Sequence, residues 1–102
     1  MGILVMCVWL VTYGFVLARR LILAVLARCR EVYAELEAEL DFLHDAKVSR
    51  CITVRDSNAD IMMVMRLDRP EQLSAYLQHP KHVALAQSLK DVVAARMSFD
   101  AE

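Results

Sequence analysis

The first 18 residues carry no charged side chain, and most of them are apolar. A run of that length is long enough to cross a membrane as a helix, but it can also hold a buried strand. Residues 3–13 are rich in β-branched and aromatic side chains, which favour strands, and Gly14 interrupts the run. We therefore predict a strand over residues 3–13 that is apolar on both faces. A membrane anchor over residues 1–18 is the alternative.

A strand that is apolar on both faces needs cover on both sides, from helices on one side and a second sheet on the other. Hydrophobic residues make up 58% of the chain, more than in an ordinary soluble domain. The excess apolar surface has to enter a membrane, a subunit interface or a ligand cavity. Because 102 residues suit one domain with a modest core, we predict a single domain over residues 1–102 that pairs with a second copy of itself.

The rest of the chain alternates between helical and strand spacing. After the first strand, the pattern predicts a helix over 15–43, strands over 48–55 and 61–67, helices over 68–78 and 80–93, and a last strand over 95–100. Asp68 and Glu71 have the spacing of a capping box, and His79 is placed to cap the helix that Pro80 opens. The order βαββαβ predicts an α+β, ferredoxin-like fold with an antiparallel four-stranded sheet. Two such sheets packed face to face would form a dimeric α+β barrel, in which we expect Met63 or Met65 of the 61–67 strand to face the partner.

Charge and cysteine content narrow the functional classes. The net charge of −1 argues against nucleic-acid binding, because phosphate affinity needs a basic excess. The three cysteines fit neither a disulfide framework nor a zinc pattern, so we expect small buried side chains in a reducing, cytoplasmic compartment. No cluster of His, Asp or Glu residues in the sequence has the spacing of a metal site, and there is no glycine-rich phosphate loop. We therefore predict no metal and no cofactor. His44 is predicted to lie in a surface loop.

The stretch from Leu73 to Val83 combines a Leu, a Tyr and a His-Pro-x-His motif. This pattern resembles the signature of the stress-responsive A/B barrel (Dabb) family, a family of dimeric α+β barrels. Weaker similarities to the family's strands are found at 6–10, 59–64 and 96–100. One departure is Val5, which stands where members often carry a His, four residues before Trp9.

The resemblance implies a chemical role for two residues of the signature. In plant polyketide cyclases of the family, a Tyr and the second His of the motif act in an intramolecular aldol condensation, and these correspond to Tyr76 and His82. A neutral imidazole is a suitable base near pH 7. Placed in the first turn of a helix, His82 would be kept neutral by the helix dipole. We therefore name His82 and Tyr76 as candidate catalytic residues, with packed structural residues as the alternative reading.

Three functions follow as hypotheses. The first is a homodimeric barrel, with a role in stress response, that binds an apolar or aromatic small molecule between sheet and helices through Trp9, Tyr76, His79 and His82. The second is an enzyme of the polyketide cyclase or monooxygenase-like kind, with His82 as base. The third is a membrane-anchored accessory protein held by residues 1–18.

Overall fold

A computed structural model describes residues 2–11, 18–53, 55 and 58–102, with the backbone alone at Val11 and at residues 18–21. The strands are β1 (Ile3–Val11), β2 (Leu43–Arg50), β3 (Ile61–Leu67) and β4 (Val93–Ala101), and the helices are α1 (Ala18–Glu39), α2 (Leu73–Leu77) and α3 (Pro80–Leu89). A 3₁₀ turn at Pro70–Gln72 leads into α2.

The four strands form one antiparallel sheet in the order β2-β3-β1-β4. With the helices, this is the ferredoxin-like arrangement that the sequence predicted. Strand β1 lies in the centre, where it pairs with β3 on one side and with β4 on the other. The residues that pair directly on adjacent strands project on the same side of the sheet, so the register assigns each side chain to a face.

One face of the sheet packs against the helices. It carries the buried alternate residues of β1 and β3, which are Ile3, Val5, Cys7, Trp9, Ile61, Met63, Met65 and Leu67. The helices cover them with an apolar stripe of α1 that includes Val25, Cys29, Val32 and Leu36, and with Leu85 and Leu89 of α3. Both Cys7 and Cys29 are buried free thiols, as expected, whereas Cys51 is partly exposed.

The opposite face is uncovered in the protomer and is also apolar. Its side chains include Leu4, Leu10, Met62, Met97 and Phe99, of which Met97 is 72% and Phe99 61% exposed. We call this surface the bare sheet face. Scattered apolar residues are normal on a protein surface, but a contiguous set across three strands marks an interaction site.

The second strand begins and ends earlier than predicted. It spans Leu43–Arg50 instead of 48–55, and Ile52, which we expected on the strand, is 95% exposed. The register shifts between His44 and Lys47, where Asp45 has φ 56°, so that both Leu43 and Val48 reach the core. The predicted alternation started from Val48 and could not include this irregularity. Val54 lies outside the described residues.

The prediction that His44 lies in a loop is wrong, and so is the predicted cap at Asp68. The Nε2 atom of His44, on β2, lies 2.9 Å from the Asp68 carboxylate. Asp68 is thus engaged with the sheet, and Arg69 takes the cap position, where its backbone N–H donates to Gln72 Oε1 at 2.8 Å.

A membrane anchor over residues 1–18 would require a helix there. Instead, Ile3–Val11 form strand β1, hydrogen-bonded to neighbours on both sides. Within the described parts of the chain, no helix is both long enough and apolar enough to cross a bilayer.

Candidate functional site

The His-Pro-x-His motif joins α2 to α3, and its first histidine has a structural position. The backbone N–H of Lys81 donates to His79 Nδ1 at 3.1 Å, which confirms His79 as the cap of α3. The other ring nitrogen, Nε2, lies 3.9 Å from the Glu39 carboxylate of α1. His79 is not among the residues that line the cavities described next, although the sequence placed it in the ligand site.

Two cavities lie between the helix-facing side of the sheet and the helices. The outer cavity has a volume of about 420 Å³ and reaches α3 and the start of β4. The inner cavity, of about 110 Å³, extends toward α2 and the middle of β1. The two share four lining residues, which are Trp9, Tyr33, His82 and Arg96. Tyr76 lines the inner cavity, so the structure does bring Trp9, Tyr76 and His82 together.

A pair of tyrosine hydroxyl groups lies in the wall of the inner cavity. The hydroxyl oxygens of Tyr33 on α1 and Tyr76 on α2 are 2.5 Å apart, and both side chains are buried. Burial raises the pKa of Tyr76 to about 12 and also raises the pKa of Tyr33. Both groups are therefore neutral at physiological pH. Because only one proton is used in the bond between them, the second hydroxyl proton remains for another acceptor.

His82 lies next to this pair, in the first turn of α3. Its ring centroid is 4.6 Å from that of Tyr76, and its Nδ1 atom is 2.9 Å from the carbonyl oxygen of Leu77. A carbonyl oxygen can only accept, so Nδ1 carries the proton and the lone pair of the neutral ring is on Nε2. Burial lowers the pKa of His82, and the hydrogen bond to Leu77 opposes this only in part. The positive charge of Arg96 lowers the pKa further.

This lowered pKa predicts how stability depends on pH. In the unfolded chain the pKa of a histidine is about 6.5, so between that value and the lower folded value the unfolded chain binds more protons. The contribution of neutral His82 is therefore complete above pH ~6.5 and is lost as the pH falls below it. Thermal melts between pH ~7.5 and ~5 should show a smaller loss of stability in His82→Gln than in the wild type. The control variant His44→Gln should keep the loss of stability that is due to His82. An equal loss of stability over this pH range in the wild type and in His82→Gln would contradict the prediction.

The sequence did not single out Tyr33 or Arg96 as site residues. In β4 it showed an alternation of Ala95, Met97 and Phe99 with Arg96, Ser98 and Asp100. The structure turns the polar set toward the helices, since Arg96 pairs with Trp9 and Ser98 with Cys7, while Met97 and Phe99 lie on the bare sheet face. The alternation was visible in the sequence, and the polar set lies on the helix-facing side of the sheet, although Arg96, Ser98 and Asp100 all stay exposed on this edge strand. Val5 lines the inner cavity, so an aliphatic side chain stands where a family histidine is often found.

These features define a class of protein, a ferredoxin-like α+β domain with an aromatic cavity that a histidine lines. The chain belongs to the Dabb family, described as Stress responsive A/B Barrel Domain, whose sequence pattern matches residues 23–102. This confirms the resemblance carried by the His-Pro-x-His motif. No protein with a curated description matches the chain.

Several solved structures are similar to this chain in fold. A dimeric protein of unknown function from Bacteroides fragilis is similar with a TM-score of 0.80 at 18% identity, over 99% of this chain and 95% of that one. A dimeric ferredoxin-like protein of unknown function from Thermobifida fusca has a TM-score of 0.74 at 20% identity, over 100% of this chain and 92% of that one. A Dabb family protein with a ferredoxin-like fold from Mesorhizobium loti has a TM-score of 0.74 at 14% identity, over 99% of this chain and 95% of that one.

Proposed function

We propose that the chain forms a homodimer in which each protomer binds an apolar or aromatic small molecule in the outer cavity. The outer cavity carries this proposal. Its volume of about 420 Å³ falls within the range of roughly 300–1,000 Å³ that is typical of small-molecule sites. Trp9 and Tyr33 supply flat apolar surface, while His82 and Arg96 supply a few polar atoms that could orient a ligand.

Dimerisation is supported by the bare sheet face and by the relatives. Exposed Leu4, Met62 and Phe99 belong to three adjacent strands, and a second sheet is the cover that such a surface needs. Two of the similar structures are described as dimeric. Because a two-fold axis brings the same surface of both copies together, this one face is sufficient to form a closed dimer.

Binding can be followed through Trp9, which is the only tryptophan of the chain and lines the outer cavity. We expect the neutral probe naphthalene carboxamide to change the Trp9 fluorescence and to give a saturable isotherm in titration calorimetry. The variant Ala86→Phe fills the outer cavity with a ring and should weaken binding by about tenfold or more, a loss of about 1.4 kcal/mol or more.

The matched control is Ala84→Phe, which adds the same ring to the same helix at an exposed position outside the cavity lining. It should bind the probe as the wild type does. Saturable binding that both variants retain would place the ligand elsewhere, and no binding to the wild type would reject the proposal.

A second candidate is an acid–base enzyme that uses His82 and Tyr76. The observation in its favour is that the two rings lie 4.6 Å apart in the wall of the inner cavity, with the lone pair of His82 fixed on Nε2 by the Leu77 hydrogen bond. A base of this kind can remove a proton beside a carbonyl group, and a tyrosine hydroxyl can donate to the carbonyl oxygen.

A further inference from the structure

We propose that the ligand of the outer cavity carries a carboxylate group and that the guanidinium of Arg96 binds it. This inference rests on the binding function proposed above and narrows the class of ligand from apolar or aromatic molecules to aromatic acids.

The position of Arg96 is the first observation. It pairs with Trp9 in the register of β4 and β1, so its side chain is on the helix-facing side of the sheet, where it lines both cavities. Among the described residues, no carboxylate oxygen lies within 4.0 Å of a guanidinium nitrogen of Arg96, the distance at which the two groups would form an ion pair. A guanidinium without an ion-pair partner, next to aromatic surface, is therefore available to an anion that enters the cavity.

The distribution of charge around the cavities is the second observation. Among the described residues that line the outer cavity, Arg96 and Lys90 are cationic and none is acidic. Asp100, which lies on the same side of β4, lines the inner cavity but not the outer one. A ligand with a negative group is thus attracted at the outer cavity and repelled at the far end of the inner one.

The chemistry of the guanidinium selects the anion. Its planar fork of N–H donors matches the two oxygens of a carboxylate, with which it can form two parallel hydrogen bonds. The indole ring of Trp9, its neighbour in register, offers a flat surface for an aromatic ring. Together they are suited to an aromatic ring that bears a carboxylate.

The test compares naphthalene carboxylate with naphthalene carboxamide, two probes of the same shape that differ in charge. The wild type should bind the carboxylate about tenfold more tightly, since hydrogen bonds to charged groups are the stronger ones. Arg96→Gln should remove this preference, so that the ratio of the two dissociation constants falls to about one, while Arg96→Lys should restore part of it. Added salt should weaken binding of the carboxylate alone.

The control variant Arg28→Gln makes the same change of charge on the exposed side of α1, outside both cavities, and should keep the preference. Thermal melts establish that each variant is folded. Equal binding of both probes by the wild type, or a preference that survives in Arg96→Gln, would overturn the role of Arg96 and leave the binding function in place. Failure of both probes to bind would reject the binding function and the anion preference together.

Discussion

Glutamate at Met65 is expected to unfold the domain, whereas glutamate at Met62 on the same strand should leave each protomer folded and separate the dimer. Met65 is 0% exposed and faces the helices, while Met62 is 42% exposed and lies on the bare sheet face. An unpaired charge in the core costs several kcal/mol, comparable with the total stability of about 5–15 kcal/mol of a small domain. At Met62 the charge meets water in the monomer and is buried only by the proposed partner.

Both variants replace a methionine of β3 with glutamate. They therefore differ in the face of the sheet on which the new charge is placed. Far-UV circular dichroism should show loss of structure in Met65→Glu and an intact mixed α and β signal in Met62→Glu. Light scattering after size exclusion at micromolar concentration should give a dimer for the wild type and a monomer for Met62→Glu. A Met62→Glu protein that stays dimeric would show that the copies associate through another surface.

This pair of residues also shows what sequence reasoning could and could not determine. The apolar run of β3 predicted a strand with two buried faces, and the structure confirms the strand at Ile61–Leu67. We predicted that Met63 or Met65 faces the partner, and this is wrong, because their register with Cys7 and Val5 directs them toward the helices. When both sets of alternate residues are apolar, the pattern separates two faces but does not tell which one the helices cover.

The residues of the candidate site also fall into two groups, those that the sequence identified and those that only the structure shows. Tyr76 and His82 were found because a short motif places them on adjoining helices, where spacing along the chain determines their proximity. Tyr33 and Arg96 reach the cavities from α1 and β4, and only the packing of the helices on the sheet brings them there. Such contacts depend on how elements pack on one another, which hydrophobic periodicity does not specify. The alternation of β4 was visible in the sequence, but which of its two sets lies on the helix-facing side follows only from the covered face of the sheet.

If the acid–base candidate is correct, His82→Ala should slow proton removal from a carbon beside a carbonyl by about 10²–10⁴-fold, the usual effect of losing one general base. The reaction can be followed without knowing the natural substrate. In deuterium oxide, a base in the cavity exchanges the methyl hydrogens of an aryl methyl ketone, and proton magnetic resonance records their loss. The wild type should exceed the rate in buffer alone. The rate should also fall as the pH drops through the lowered pKa of His82, because imidazolium has no lone pair on Nε2.

Stability measurements separate this role from a structural one. Within the described part of the chain, His82 hydrogen-bonds only to the carbonyl oxygen of Leu77, and its side chain is partly exposed, so His82→Ala should cost only about 1 kcal/mol. Tyr76→Phe is the informative companion, because it keeps the ring beside His82 and removes the hydroxyl that could donate to the carbonyl oxygen. It should slow exchange while leaving the pH dependence due to His82 in place. A wild-type rate no greater than that of His82→Ala, together with a large drop in melting temperature, would assign His82 to the fold and leave the cavity as a binding site without turnover.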